Sequence, residues 1–165
     1  MNISNINYGA TLSKRRSFNI LIIDDDENIG ASLKEYLECR GHEVTVVDEC
    51  ARGITHLYMK HFDIVFLDYH LDTTCIDGAG VTKCVKDFDA TKKSIIFAYT
   101  GDSSNEAIYN FKASGMDGVI FKPIDVRVLD KMMLSLESKV ELDKSFLDKL
   151  SRQYNRSFMV FATKQ

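Results

Sequence analysis

Four short apolar stretches of the chain run directly into residues capable of ionic chemistry. Ile20 to Ile23 leads into Asp24, Asp25 and Asp26, Ile64 to Leu67 into Asp68, Ile95 to Tyr99 into Thr100, and Val119 to Phe121 into Lys122 and Pro123. Crowded carboxylates repel one another and ionise together only beside a cation. A hard divalent ion such as Mg²⁺ suits them, because it takes carboxylate, water and phosphate oxygens as ligands. Formal charges then balance: Asp24, Asp25 and Asp68 against Mg²⁺ and Lys122. Such a cluster is fitted to receive a phosphoryl group on a carboxylate while metal and lysine neutralise the developing charge.

Taken singly, each feature has a plainer explanation. Asp26 or Asn28 can cap the helix that follows the acidic run, and acids favour helix N-termini in any case. Asp68 can be a cap, Thr100 before Gly101 part of a turn, and Lys122-Pro123 an ordinary dipeptide. The weight lies in the joint order, with one residue type after each run.

Positioning these residues requires strands that end together. The four runs and a fifth, Val44 to Val47, are nearly uninterrupted and rich in β-branched or aromatic residues, as strands buried on both faces of a parallel sheet are. Helical spacing fills the gaps. Ile29, Leu33, Tyr36 and Leu37 share one face of a helix over Asn28 to Cys39, stopped by Gly41. Further helices are expected over Ala51 to Met59, over Gly80 to Phe88, and from Ser103, whose spacing to Glu106 is that of a capping box, to Ala113 before Gly115. The alternation predicts a doubly wound, three-layer α/β domain with a five-stranded parallel sheet. In such sheets ligands bind beyond the carboxyl ends of the strands, where the chemical residues fall.

After Pro123 the chain has neither Gly nor Pro, and Asp125 can cap a final helix. Val126, Leu129, Met133 and Leu136, continued by Val140, Asp143, Leu147, Leu150 and Tyr154, follow alternating three- and four-residue steps. Two readings stay open: one long helix whose far half offers a seam to a second copy, or a helix that packs on the sheet and then folds back. Ser157 to Gln165 reads as a strand-like or docking segment.

The chain has 165 residues, 45% hydrophobic and 27% charged. That suits a globular domain able to bury a core without disulfides or metals as staples. With 21 Lys and Arg against 24 Asp and Glu, the net charge of −3 gives no basic excess for nucleic acid. No apolar run approaches the roughly 20 residues needed to cross a bilayer. Cys39, Cys50, Cys75 and Cys84 form no C-x-x-C pair and suit free thiols in a reducing compartment. Lys14, Arg15 and Arg16 precede an apolar stretch as in a leader, but Phe18 to Ile23 meets acids and no small-residue cleavage site. The expectation is a cytoplasmic protein with neither nucleic-acid nor membrane partners.

From Phe18 to Ser138 the chain resembles the receiver domain of two-component and phosphorelay response regulators. The resemblance rests on Ile20 to Glu27, Asp63 to Asp68, Asp77-Gly78, Ala98 to Gly101 and Phe121-Lys122-Pro123. It implies a flavodoxin-like sheet of order 2-1-3-4-5. It further implies that Asp68 accepts phosphate from a phosphohistidine on a histidine kinase or histidine phosphotransfer protein. Asp24, Asp25, Asp68 and the backbone carbonyl of His70 would hold Mg²⁺. Lys122 would pair with Asp68 and then with phosphoryl oxygens, Thr100 would turn its hydroxyl to one of them, and the Lys122–Pro123 peptide would be cis. Slow hydrolysis of the acyl phosphate would follow, with no other enzymatic turnover.

Three departures from the family stand out. Leu71-Asp72 replaces Met-Pro, and the loop Asp72 to Ile76 is longer than usual. Val119 occupies the place of the switch aromatic, while Tyr99, next to Thr100, should face the opposite way. No output module is expected: residues 1–17 read as a tail, 18–138 as the receiver and 139–165 as a helical extension. Signalling would then use protein contacts, toward an unidentified target or as a phosphorelay intermediate, with a homodimer through the final helix as one arrangement. His70 and Asp102 would overlook the phosphoryl group or serve as a solvated His and a helix-start Asp. The alternative function is a receiver-like interaction module that is never phosphorylated. A haloacid-dehalogenase-like phosphohydrolase would need an acid where His70 stands.

Overall fold

The structure is a computed structural model that describes residues 16–71, 78–86, 88, 91, 93–137, 152 and 157–161. Strands β1 (Asn19–Ile23), β2 (Glu43–Val47), β3 (Ile64–Leu67), β4 (Ile95–Thr100) and β5 (Gly118–Phe121) alternate with helices α1 (Glu27–Cys39), α2 (Cys50–Met59), α3 (Gly78–Val85), α4 (Asn105–Ser114) and α5 (Val126–Glu137). A last strand, β6 (Phe158–Val160), follows. The sheet order is β2-β1-β3-β4-β5-β6, and the first five strands pair in parallel.

The period-two rule of strands explains the layering. Ile20, Ile22, Ile64, Phe66, Ile95, Phe97 and Ile120 point to one side, where Leu33 and Leu37 of α1 and Leu129, Met133 and Leu136 of α5 cover them. Leu21, Ile23, Val65, Leu67, Ile96, Ala98 and Val119 point to the other, against Leu57 of α2, Val81 and Val85 of α3, and Phe111 of α4. Nearly every one of these side chains is shut off from solvent. A doubly wound sheet is the arrangement that covers both faces of such strands.

Helix ends follow local chemistry. The Asp26 carboxylate accepts from the Asn28 and Ile29 N–H groups and caps α1. Past its other end, Gly41 adopts φ +91°, a conformation costly for other residues. Gly115 does the same after α4. The capping residue of α4 is Ser104 and not Ser103: its hydroxyl accepts from Ala107 N–H, while Asp102 Oδ1 takes the Ser104 N–H. That Asx turn delays the helix by one residue, so Glu106 falls in the first turn without completing a capping box.

The expected five parallel strands are present in the expected order, with one addition. β6 joins β5 antiparallel, Gly118 opposite Val160, Val119 opposite Met159 and Ile120 opposite Phe158. The segment 157–161, read as strand-like within an otherwise helical extension, is therefore part of the sheet. The residues expected to continue the last helix, Asp143 included, lie outside the described residues, as do Asp72, Cys75, Ile76 and Asp77.

At the amino end of the sheet, α1 and α5 are clasped. Arg40 reaches Asp130 at 2.5 Å and Glu137 at 3.0 Å, and Tyr36 donates its hydroxyl to Asp130. His42 lies 3.3 Å from the same Glu137 carboxylate, both side chains buried.

Candidate functional site

The carboxyl ends of β1, β3 and β5 converge on one acidic pocket. Parallel registers place Ile23 beside Leu67 and Val47. The next residues continue the ladder, with Asp68 N–H donating to the Ile23 carbonyl at 2.8 Å and Asp24 N–H to that of Val47 at 3.0 Å. Asp24 and Asp68 are therefore fixed by backbone before their side chains do anything. One carboxylate oxygen from each of Asp24, Asp25 and Asp68 falls within 4.8 Å of the others. Asp25 is exposed, Asp24 and Asp68 buried.

Lys122 ties the pocket together. Its Nζ lies 2.7 Å from Asp24 Oδ2 and 2.8 Å from Asp68 Oδ2. Burial alone would lower the pKa of this ammonium, but its hydrogen bonds to Asp24 and Asp68 outweigh that and hold it above the usual value. Burial pushes the Asp24 carboxyl up, against the opposing pull of Lys122 and of the Asp26 N–H that Oδ1 accepts at 3.0 Å. A buried acid held up by desolvation gains most from another cation. The donor set is entirely oxygen, partly buried and open on the Asp25 side, which fits Mg²⁺.

The remaining candidates surround this cluster. His70 N–H donates to Asp68 Oδ1 at 3.1 Å, so the loop after β3 folds back over the carboxylate. Thr100 is fully buried at the end of β4. Its carbonyl accepts from Lys122 N–H at 2.8 Å, and its hydroxyl accepts from Asp102 N–H at 3.1 Å. Thr100 thus stands beside the pocket with one lone pair of its hydroxyl engaged by the next turn. His70 Nε2 and Asp102 Oδ2 are 3.7 Å apart at the rim. Hydrogen bonds from Ser104 hold the Asp102 carboxyl below the usual range. The Lys122–Pro123 peptide is cis.

Sequence reasoning missed the company Lys122 keeps. Strand parity puts Tyr99 on the α1–α5 side with Ile120, and Lys122 follows two residues on. The Tyr99 ring, itself buried, lies with its centroid 4.9 Å from Lys122 Nζ. Combining the expected parity of β4 and β5 would have revealed it. Val119 faces the other layer, among Phe111 and Met116. The aromatic neighbour of the site is therefore supplied by β4 and lies on the opposite face of the sheet. Beyond Tyr99 and Lys122, a cleft of about 580 Å³ opens between α1 and α5, walled by Ile29, Leu33, Pro123 and Leu129.

Among the described residues, no helix is long and apolar enough to cross a membrane. Comparison with known proteins places the fold and family. Residues 20–134 match the model of the response regulator receiver domain. The CAI-1 autoinducer sensor kinase/phosphatase CqsS of Vibrio cholerae is 29% identical over 116 residues, 70% of this chain and 17% of that protein. Transcription factor SKN7 of Saccharomyces cerevisiae is 28% identical over 113 residues, 68% of this chain and 18% of its own. The chain thus spans less than a fifth of the length of these relatives. Among solved structures, chemotaxis response regulator CheY4 of Vibrio cholerae superposes with TM-score 0.66 at 22% identity, covering 73% of this chain and 99% of its own. The receiver domain of sensor histidine kinase PA1611 from Pseudomonas aeruginosa, with magnesium coordinated in its active site cleft, does so with TM-score 0.66 at 18% identity, covering 75% and 100%. A match over most of the chain, a sheet of the expected order and an acidic pocket at its carboxyl edge have one reading: this chain belongs to the response regulator receiver domain family.

Proposed function

We propose that this protein receives a phosphoryl group on Asp68 from a phosphohistidine of a histidine kinase or phosphotransfer protein, and signals through protein contacts. The observation that carries the reading is the bridge of Lys122 between Asp24 and Asp68 beside Asp25. An Asp68 carboxylate oxygen attacks phosphorus in line, the P–N bond to the donor imidazole breaks, and the imidazole leaves with that electron pair. Lys122 orients the carboxylate before transfer and then follows the negative charge outward. Asp24, Asp25, Asp68 and the His70 carbonyl are the residues to hold Mg²⁺, which when bound supplies charge neutralisation of the phosphoryl oxygens. Thr100, whose hydroxyl accepts from Asp102 N–H, has its own proton to donate to a phosphoryl oxygen.

Water slowly cleaves the acyl phosphate, so the protein turns over its own phosphoryl group and no small-molecule substrate. Its place is the cytoplasm, either as a response regulator or as a phosphorelay intermediate. Incubation with Mg²⁺ and phosphoramidate or acetyl phosphate should add one phosphoryl group by intact mass, and Asp68→Asn should add none. Equal labelling of Asp68→Asn rejects the reading. No labelling, with no saturable Asp68-dependent binding of beryllofluoride, favours an unphosphorylated interaction module.

A further inference from the structure

The acidic pocket is the centre of a wider negative surface. At the carboxyl edge of the sheet, among the described residues, each lysine and arginine in the loops and in the opening turns of the helices already faces an acid. Lys122 has Asp24 and Asp68, Arg52 has Asp48 at 3.0 Å, and Arg127 has Asp125 at 3.1 Å. Asp102 has His70 across the rim at 3.7 Å. Asp26, Glu27, Glu49 and Glu106 come on top of these pairs, and all four are exposed. The strand order spreads them around the pocket. Glu49 precedes α2 beyond β2, Asp26 and Glu27 open α1 beyond β1, and Glu106 lies in the first turn of α4 beyond β4.

Helix dipoles favour acids at such positions, and Asp26 is engaged as a cap. Capping does not account for Glu49, whose carboxylate makes no hydrogen bond to the start of α2. Mg²⁺ in the pocket would bring Asp24, Asp25, Asp68 and Lys122 to formal balance, and the charge of the four outer acids would remain. A phosphoryl group on a side chain itself carries about −1.5 to −2 near neutral pH. A phosphorylated donor therefore brings like charge to a negative rim. Fields of this kind change association rates by about 10 to 10³. Juxtaposed like charges also exclude partners of the wrong sign.

We propose that the phosphohistidine from which Asp68 is loaded is ringed by Lys and Arg side chains, which meet the acids at the starts of α1, α2 and α4 while the phosphorus reaches Asp68. This partner chemistry rests on the phosphoacceptor reading above. It makes the rim a filter: donors with a basic surround are drawn in, and acidic ones are turned away before any contact with Asp68 forms.

Two synthetic peptides, each carrying one phosphohistidine flanked on both sides by lysines or by glutamates, test it on the full chain with saturating Mg²⁺. Intact mass gives the rate of Asp68 labelling. The lysine peptide should label at least about ten-fold faster than the glutamate peptide in about 0.1 M KCl. The difference should vanish in about 1 M KCl, where screening acts over about 3 Å in place of about 10 Å. The triple variant Glu27→Gln, Glu49→Gln, Glu106→Gln, altered outside the pocket, should reduce the preference to about three-fold or less without slowing labelling by phosphoramidate. Equal peptide rates in low salt, zero included, overturn the basic partner and leave the phosphoacceptor standing if phosphoramidate still labels Asp68. A preference that survives high salt, or is undiminished in the folded triple variant, overturns it as well. Absence of Asp68 labelling by both peptides and by phosphoramidate overturns both readings. If the triple variant does not fold, the salt series on the wild-type chain decides alone.

Discussion

The Tyr99 ring lies against the Lys122 ammonium, 4.9 Å from centroid to Nζ, although the two residues belong to neighbouring strands. Cation–π contacts of this kind contribute about 0.5–2 kcal/mol, more as water is excluded. Tyr99→Leu should therefore slow phosphorylation by phosphoramidate about three- to ten-fold, while Tyr99→Phe, which keeps the ring, should stay close to wild type. Equal rates in all three proteins would show that the ring does not position the ammonium.

Removing the ammonium itself should cost stability. Lys122→Met leaves Asp24 and Asp68 facing each other without their shared cation, a loss of about 2–4 kcal/mol near neutral pH. A raised lysine pKa contributes stability below the unfolded value of 10.5 that is lost as pH rises through the folded one. Urea unfolding from neutral to strongly alkaline pH should accordingly bring wild type and variant together.

Magnesium should stabilise the folded chain. At ten times its dissociation constant the gain is about 1.4 kcal/mol, because only the folded state gathers the three carboxylates. Thermal melts across a Mg²⁺ series read this directly. Asp24→Asn should flatten the dependence.

His42 should make the protein acid-sensitive well above the carboxylate range. Burial holds its imidazole below the ordinary 6.5; Glu137 pulls the other way and Arg40 adds to burial. Its Nδ1 faces the Phe18 N–H at 3.4 Å, as suits a neutral ring. Because the unfolded chain takes the proton more readily, the stability His42 contributes is present above about pH 6.5 and lost as pH falls through the lower folded value. His42→Gln should remove that slope from urea midpoints measured between about pH 7 and pH 5.

Gly53 allows α2 to approach β1. A Cβ there would fall 2.3 Å from Ile23 Cδ1 and 3.0 Å from its Cγ1, inside a fully buried layer. Gly53→Ala should destabilise by about 1–3 kcal/mol through overpacking, without the helix-propensity gain Ala normally brings. Equilibrium unfolding checks this. A more stable variant would mean that Ile23 repacks freely.

Much of this architecture is legible in the sequence because strand parity and strand order are local signals. Ile20, Ile22 and Asp24 share a side by counting alone, and so do Ile120 and Lys122. Once the strands are parallel and end together, the acidic pocket follows. What escapes depends on distant partners. Three residues of β6 carry too little pattern to name β5 as their neighbour, and only the tight approach at Gly118, where a Cβ would lie 2.2 Å from the Met159 carbonyl oxygen, explains the pairing. The clasp of Arg40, His42 and Glu137 joins residues nearly a hundred positions apart and leaves no periodic trace. The start of α4 at Ser104 turned on competition between two adjacent serines, decided by the Asp102 side chain.

An antiparallel margin changes how this sheet meets other molecules of its kind. Strand-to-strand aggregation begins at long unprotected borders. Among the described residues one border is a three-residue stub and the other is β2, where exposed Glu43 faces Lys60 at 3.5 Å. Concentrated solutions should therefore resist fibril growth until Glu43 and Lys60 are neutralised.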